Sequence, residues 1–327
     1  MKIRAIRIHE NGDPSVMKWE TVELGQPDRG ELLVRHTAVG FNMIDTYVRS
    51  GLYPSPAKPC GLGGEAAGVV EAVGRGVKGF KPGDRVCYAF GTPPGAYSQA
   101  RILQPDYVLK MPSWMDDRTG AAVLTKGRTV EYLFNRTTRL KKGQTILFHA
   151  AAGGVGLIAG QWARAIGVTA IGVVSTEDKA KTAKRNGYRH VIVSGKQDIA
   201  REVMRLTRDR GVDVVYDSVG KDTWAASLDS VRKLGLAVSF GSASGSPPPF
   251  DLAADGLKKS AFVHRATMVN YMTSPEIAAA SARKVFQMVK SGAIKPRIDT
   301  RYRLKDAARV HREAEARRTS GQIVMMP

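Results

Sequence analysis

The chain has 327 residues, 43% of them hydrophobic, and its 50 Lys and Arg against 30 Asp and Glu leave a formal net charge of +20. That is enough apolar material for a sizeable core and enough length for two domains. No run approaches the roughly 18 consecutive apolar residues of a membrane span, and "MKIRAIRIHE" lacks the continuous apolar stretch of a secretory signal. Cys60 and Cys87 are the only cysteines and form no CxxC, so neither a disulfide framework nor a cysteine-rich zinc site can be built from them, and a reduced, cytoplasmic setting is expected.

In chain order, the first 120 or so residues carry short β-like runs broken by Gly and Pro: 32–40 (LLVRHTAVG), 66–74 (AAGVVEAVG), 83–91 (GDRVCYAFG) and 107–112 (YVLKMP). This texture predicts a compact β-rich domain. From about Thr125 strands and helices alternate. A buried strand over 144–149 precedes a helix over 154–167, and a strand over 169–175 precedes a charged helix over 176–187. A strand at 190–193, an amphipathic helix at 198–209, a strand at 212–218, a further helix and a strand at 236–242 follow. Apolar strands with crossover helices predict a parallel sheet covered on both faces. Beyond about Arg265 one long helix near 275–291, a short one near 305–318 and a last strand over 322–326 are expected.

Between the first of those strands and its helix lies "HAAAGGVGLIAG", His149–Gly160, with Gly154, Gly156 and Ala159 in a Gly-x-Gly-x-x-Ala spacing. In that context the glycines allow a tight turn, and backbone N–H groups can approach a pyrophosphate at the positive end of the helix. An NAD-preferring site places an Asp or Glu at the end of the next strand. Here that strand ends at Ser175, with Lys179 shortly after. A hydroxyl and a cation suit a 2′-phosphate, which points to NADPH. The alternatives are that Lys179 is merely solvated, or that Glu177 or Asp178 reaches back to the ribose.

The charge raises the question of anionic partners. Basic runs at 136–142, 179–185 and 315–320 show no interleaving with aromatic residues of the kind that stacks bases. A solvated basic surface plus one phosphate-binding site is the simpler account, with nucleic acid the alternative.

The segments 41–54 (FNMIDTYVRSGLYP), 61–74 (GLGGEAAGVVEAVG), 81–86 (KPGDRV), 148–163 (FHAAAGGVGLIAGQWA), 215–220 (VYDSVG) and 238–245 (VSFGSASG) together resemble the medium-chain dehydrogenase/reductase superfamily. Within it they resemble the zinc-free, zeta-crystallin-like quinone oxidoreductases. The resemblance implies an α/β protein with a GroES-like catalytic domain over 1–125. A Rossmann doubly wound parallel-sheet domain would bind NADPH over 126–265, and the segment 266–327 would return to the first domain. It also implies a homodimer formed through the cofactor domain.

Zinc-dependent relatives place a Cys where this chain has Asn42 and a His inside the Gly–Glu pair where it reads Gly63–Gly64–Glu65, and the four-cysteine lobe after Val86 is missing. No metal is therefore expected. Without such a Lewis acid, alcohol oxidation is disfavoured and an electron-poor acceptor is the sensible substrate. A quinone takes hydride readily because the charge formed is delocalised, leaving the protein to orient the reactants and keep the site dry.

By resemblance, Asn42, Tyr47 and Tyr53 face the nicotinamide. Asn42 would hold cofactor or substrate, and a tyrosine would donate to the reduced oxygen; plain aromatic packing is the alternative for both tyrosines. Asp45 would orient its loop. Lys126 and Thr129 would approach the nicotinamide ribose, Gly153, Gly154 and Val155 the pyrophosphate, and Ser175 and Lys179 the 2′-phosphate. Ser218, Phe240, Ser242 and Arg265 would line the cofactor cleft, and Arg317, or its neighbour Arg318, would meet the adenosine phosphate. Ser194 stands where the bacterial relatives carry a tyrosine that frames the adenosine. The expected activity is metal-free, NADPH-dependent quinone reduction by hydride or stepwise electron transfer. An NADPH-dependent alkenal or enone reductase is the runner-up, and RNA binding by a basic zeta-crystallin-like protein is the alternative of another class.

Overall fold

The computed structural model describes residues 1–89 and 93–327. The β-like run 83–91 and the stretch after Val86 that was read for a zinc lobe both cross residues 90–92, which lie outside the described residues. The chain divides into two compact units: residues 1–126, 274–283 and 296–327, and residues 127–273 and 284–295.

The first unit opens with β1 (Lys2–Ile8), β2 (Lys18–Glu23), β3 (Leu32–Gly40), the helix α1 (Met43–Ser50), β4 (Cys60–Gly61), β5 (Glu65–Val73), β6 (Arg85–Ala89), β7 (Ala100–Leu103) and β8 (Val108–Lys110). The helix α2 (Asp117–Tyr132) begins about eight residues before the change of texture at Thr125. Antiparallel pairing dominates: β3 carries β5 on one edge and both β7 and β16 (Gln322–Met326) on the other, and β6 and β8 extend the sheet beyond β5. Inward faces of these strands meet in one core that includes Leu32, Val34, Val70, Tyr88, Tyr97 and Met325. Gly40 at the end of β3 is required by packing, since a side chain there would overlap the Ala121 carbonyl of α2 and press on Glu65.

The second unit holds β9 (Thr145–Phe148), α3 (Gly154–Ala165), β10 (Thr169–Val174), α4 (Glu177–Arg185), β11 (His190–Val193), α5 (Ile199–Thr207), β12 (Val212–Asp217), α6 (Trp224–Ser230), β13 (Val231–Ser239), α7 (Gly256–Lys259) and β14 (Phe262–Arg265). Its six strands pair in parallel in the order β11-β10-β9-β12-β13-β14. Strand order reverses between β9 and β12, the switch point at which such sheets open a crevice at their carboxyl ends. The strand β12 is buried throughout and β9 from Ile146 onward, as a sheet covered on both faces requires. The strand β14 escapes the sequence pattern because it is an edge strand whose Phe262 and Val263 are exposed.

Later elements are α8 (Pro275–Lys290), β15 (Ile298–Arg303) and α9 (Ala307–Glu315). Among the described residues, no helix is long and apolar enough to cross a membrane.

Candidate functional site

In the second unit the candidate residues collect at the carboxyl ends of the parallel strands. After β9 the chain turns through Ala150, whose φ is 52°, and Gly153 leads into α3 at Gly154. A Cβ on Gly156 would collide with the Ala150 and Ala151 carbonyls, so this turn demands glycine. The helix α3 starts at Gly154, just after Gly153, whose N–H donates to the Ala150 carbonyl at 2.9 Å, and a helix N-terminus that follows a glycine turn is the kind of end at which an anion can bind.

At the end of β10, Lys179 donates from Nζ to Oγ of Ser175 across 3.4 Å, and the Thr176 hydroxyl caps α4 by accepting from the Lys179 N–H. Glu177 and Asp178 are engaged elsewhere, by Lys196 and Lys181 at 3.1 Å each. A hydroxyl and an ammonium thus stand together at the strand end, residue types that fit a phosphate monoester. Ser194, one residue past β11, is exposed and ties back to the Val174 carbonyl through both its N–H and its hydroxyl.

Asp217 at the end of β12 is fully buried and accepts from the Val219 and Gly220 N–H groups and from the Thr223 and Ser227 hydroxyls. It fixes the turn that carries Ser218. Beyond β13, the Phe240 ring lies 5.6 Å from that of Phe148. The Arg265 guanidinium donates to Ser239 Oγ at 2.7 Å, the Gly241 carbonyl at 3.0 Å and Ser242 Oγ at 3.3 Å. Thr129 is buried within α2.

The first unit holds a separate polar cluster. Lys126 donates from Nζ to Asn42 Oδ1 at 2.9 Å and approaches Glu65 Oε2 at 3.4 Å, while Asn42 Nδ2 donates to the same Glu65 oxygen at 2.8 Å. The other Glu65 oxygen accepts the Thr125 N–H at 2.8 Å. Lys126, Asn42 and Glu65 are all buried. These bonds fix which way the Asn42 amide points, because an ammonium can only donate and a carboxylate only accept.

Asn42 also begins α1. Its N–H donates to Asp45 Oδ2 at 2.9 Å, and the Tyr97 hydroxyl donates to that oxygen at 2.9 Å. Burial pushes the Asp45 carboxyl up to about 7, against the lowering pull of these donors and of Lys126. Further out, Tyr97 Oη lies 3.2 Å from His311 Nε2, and His311 Nδ1 lies 3.3 Å from Arg49 Nη1. Arg49 in turn clasps both Glu315 oxygens, at 2.6 and 3.1 Å. Burial, with Arg49 adding to it, holds His311 down to about 3, so its ring is neutral.

Tyr47 and Tyr53 pack with ring centroids 5.1 Å apart, and Tyr47 is buried. Arg317 follows α9 at φ 59°, exposed beside Arg318. The structure therefore brings Asn42 and Lys126 into one cluster and pairs Ser175 with Lys179 and Ser242 with Arg265. Glu65, Tyr97 and His311 were absent from the sequence-derived candidates. Glu65 had a local signal in the Gly-Gly-Glu run, whereas Tyr97 and His311 meet Asp45 only through tertiary folding.

The family description "alcohol dehydrogenase GroES-like domain" matches residues 28–113 and "zinc-binding dehydrogenase" matches residues 154–283. The chain is 46% identical to a quinone oxidoreductase of Pseudomonas aeruginosa, with 99% of each covered, and 41% identical to a 2-haloacrylate reductase of a Burkholderia species, again with 99% of each covered. It also superimposes on the crystal structure of Escherichia coli quinone oxidoreductase complexed with NADPH, with a TM-score of 0.96 at 42% identity, covering 99% of this chain and all of that one. The zinc in the second family description does not fit the residues present. Glu65 is already held by an ammonium, an amide and a backbone N–H, and among the described residues no three His, Cys, Asp or Glu side chains converge to hold a metal ion.

Proposed function

The chain belongs to the quinone oxidoreductase family, and on that premise we propose that it oxidises NADPH and delivers the hydride to a quinone, with no metal in the step. The observation that carries the reading is the end of β10, where Lys179 and Ser175 stand together and both nearby carboxylates are paired with other lysines. Bound NADPH would supply the hydride. The chain's own residues would hold it, with Gly153, Gly154 and Val155 at the pyrophosphate and Ser175 and Lys179 at the 2′-phosphate. Ser194, Ser218, Phe240, Ser242 and Arg265 would follow along the strand ends, with Thr129, Lys126 and Arg317 as further contacts.

On the substrate side Asn42 has a second amide hydrogen to offer, with its orientation set by Lys126 and Glu65. Tyr47 and Tyr53 supply aromatic surface for a planar acceptor and hydroxyls able to donate to a reduced oxygen. A delocalised oxyanion needs less electrophilic help than an alkoxide, which suits a site whose cation is an ammonium. The relative that reduces 2-haloacrylate favours a second reading, hydride delivery to a carbon conjugated with a carbonyl.

A second copy of the chain is the partner we favour. The open edge of β14, with Phe262 64% exposed and Val269 70% exposed nearby, suits pairing with an identical strand. Sedimentation velocity tests the dimer. For the activity, NADPH and NADH are each assayed with a naphthoquinone, an enone and 2-chloroacrylate, with and without a chelator. Quinone reduction that prefers NADPH and ignores the chelator is expected; a preference for NADH, or loss with the chelator, overturns the reading.

A further inference from the structure

We propose that Asp45 holds, on Oδ1, the proton that a quinone must take up along with its hydride, and that Tyr97 and His311 are positioning residues that keep the carboxyl in place for that transfer. The inference rests on the quinone-reducing reading. Its starting point is a hydrogen-bond chain whose directions can be assigned without placing a single hydrogen by assumption.

Arg49 can only donate, so His311 Nδ1 accepts from it across 3.3 Å. A neutral ring then carries its proton on Nε2 and donates to Tyr97 Oη, 3.2 Å away. The tyrosine hydrogen is thereby committed to Asp45 Oδ2 at 2.9 Å. That oxygen also accepts the Asn42 N–H at 2.9 Å. With two donors already on Oδ2, a proton on Asp45 belongs on Oδ1, which accepts from none of the described residues. The chain runs through segments far apart in sequence, α9, the stretch leading into β7 at Tyr97, and α1, and it ends beside the residue whose amide is locked by Lys126 and Glu65. A carboxyl used only to cap α1 would need the Asn42 N–H alone; Tyr97, His311 and Arg49 are additional.

The charged and titratable groups around Asp45 come from each packed element. Glu65 on β5 opposes its ionisation and Lys126 on α2 favours it. Tyr97 donates to it, and behind Tyr97 stand His311 of α9 and Arg49 of α1, whose charge is met by Glu315. Burial outweighs the donors and Lys126 and raises the carboxyl to about 7, so it holds its proton below neutral pH.

The step balances. Two electrons and one hydrogen reach the quinone as hydride, leaving the oxidised nicotinamide. The remaining quinone oxygen, as it gains charge, takes the Oδ1 proton, and Asp45 becomes a carboxylate held by the Asn42 N–H and the Tyr97 hydroxyl. A proton from solvent restores the acid, for an overall uptake of one proton per hydroquinone.

The test is the single-turnover rate of NADPH oxidation by a naphthoquinone from acidic to alkaline pH, in the wild-type chain, Asp45→Asn and Tyr97→Phe. The wild-type rate is expected to fall tenfold per unit above a midpoint close to the Asp45 value. Asp45→Asn is expected to be slower by ~100-fold on the acidic side, the size of a lost general acid, and to be flat with pH. Tyr97→Phe removes a donor to the carboxylate, so its midpoint moves to higher pH. An Asp45→Asn enzyme with the wild-type midpoint and about the wild-type rate overturns the proposal, and a midpoint abolished only by Lys126→Met assigns the proton to Lys126 instead. A cofactor-free readout separates this outcome from failure of the quinone reading. Asp45 is raised on folding from 3.8 to about 7, so its stabilising contribution is present below the lower value and lost as pH rises through the upper one. The urea midpoint of Asp45→Asn should therefore gain on wild type across that window and run parallel above it. A constant difference overturns the titration of Asp45 whether or not quinones are substrates.

Discussion

Lys126 directs its ammonium at Asn42, with Nζ 2.9 Å from Oδ1, so the orientation of the amide that opens α1 depends on a lysine 84 residues further along the chain. Glu65 completes the arrangement by accepting from both. Removing one member of a buried ion pair leaves the other uncompensated and costs about 3–5 kcal/mol, whereas removing both charges together is much less harmful. Lys126→Met and Glu65→Gln are each expected to lose several kcal/mol of unfolding free energy in urea, and the double variant to recover most of it. Additive losses would show that the two side chains do not act as a pair.

Sequence and structure agree best where chemistry is local. The loop from His149 to Gly160, the strands that flank it and the Ser175–Lys179 spacing are all written within about 30 residues, and apolar runs between turn residues declare the parallel strands. Edge strands are harder: β14 turns Phe262 outward, and β15 reads IDTRYR with no clean alternation, so neither stands out before the sheet is seen. The Asp45 chain is illegible for another reason. Tyr97 is 52 residues from Asp45 and His311 is 214 from Tyr97, and nothing in one segment specifies which distant partner will meet it. Glu177 and Asp178 are an intermediate case. Their charge was visible, but their engagement by Lys196 and Lys181 was settled only by the fold.

Lys179→Ala removes the ammonium at the end of β10 while leaving the Thr176 cap of α4 in place. A charged hydrogen bond to phosphate is worth about 1.5–3 kcal/mol, which corresponds to a rise of roughly 10- to 100-fold in the Michaelis constant for NADPH. The constants for NADH and for the quinone should change by about twofold or less. Initial-rate kinetics with both cofactors reads the contrast, and equal losses for NADPH and NADH would remove the 2′-phosphate from the account of Lys179.

Gly156→Ala tests the loop itself. The added methyl would run into the Ala150 and Ala151 carbonyls, so the turn must open or the N-terminus of α3 must shift. Overpacking of this kind costs about 1–3 kcal/mol, and the backbone N–H groups that would meet a pyrophosphate move with it. Fluorescence titration with NADPH should show weakened binding well beyond the stability loss, and NADPH affinity like that of wild type would indicate a loop free to rearrange.

Two buried histidines should make the first unit sensitive to acid. Burial holds His36 down to about 4, and burial with Arg49 holds His311 down to about 3, both from 6.5. In each case the folded state binds fewer protons than the unfolded chain between the two values. Stability from these groups is therefore fully present above pH 6.5 and is lost as pH falls through the folded-state values, at up to about 1.4 kcal/mol per pH unit for each site. Burial holds the His36 ring neutral against the opposing pull of the Ser98 carbonyl, which lies 2.7 Å from Nδ1, while the Tyr88 hydroxyl lies 2.9 Å from Nε2; for His311 burial acts together with the Arg49 guanidinium, 3.3 Å from Nδ1. His311→Gln can keep a donor and an acceptor without a titrating ring. Its urea midpoint should lie below wild type at neutral pH, because packing against Phe41 and Tyr97 is lost, and the gap should close as pH is lowered from 6.5 toward 4. A gap that stays constant over that range would mean that His311 is already protonated in the fold, and the hydrogen-bond directions from Arg49 to Asp45 would have to be reversed at the ring.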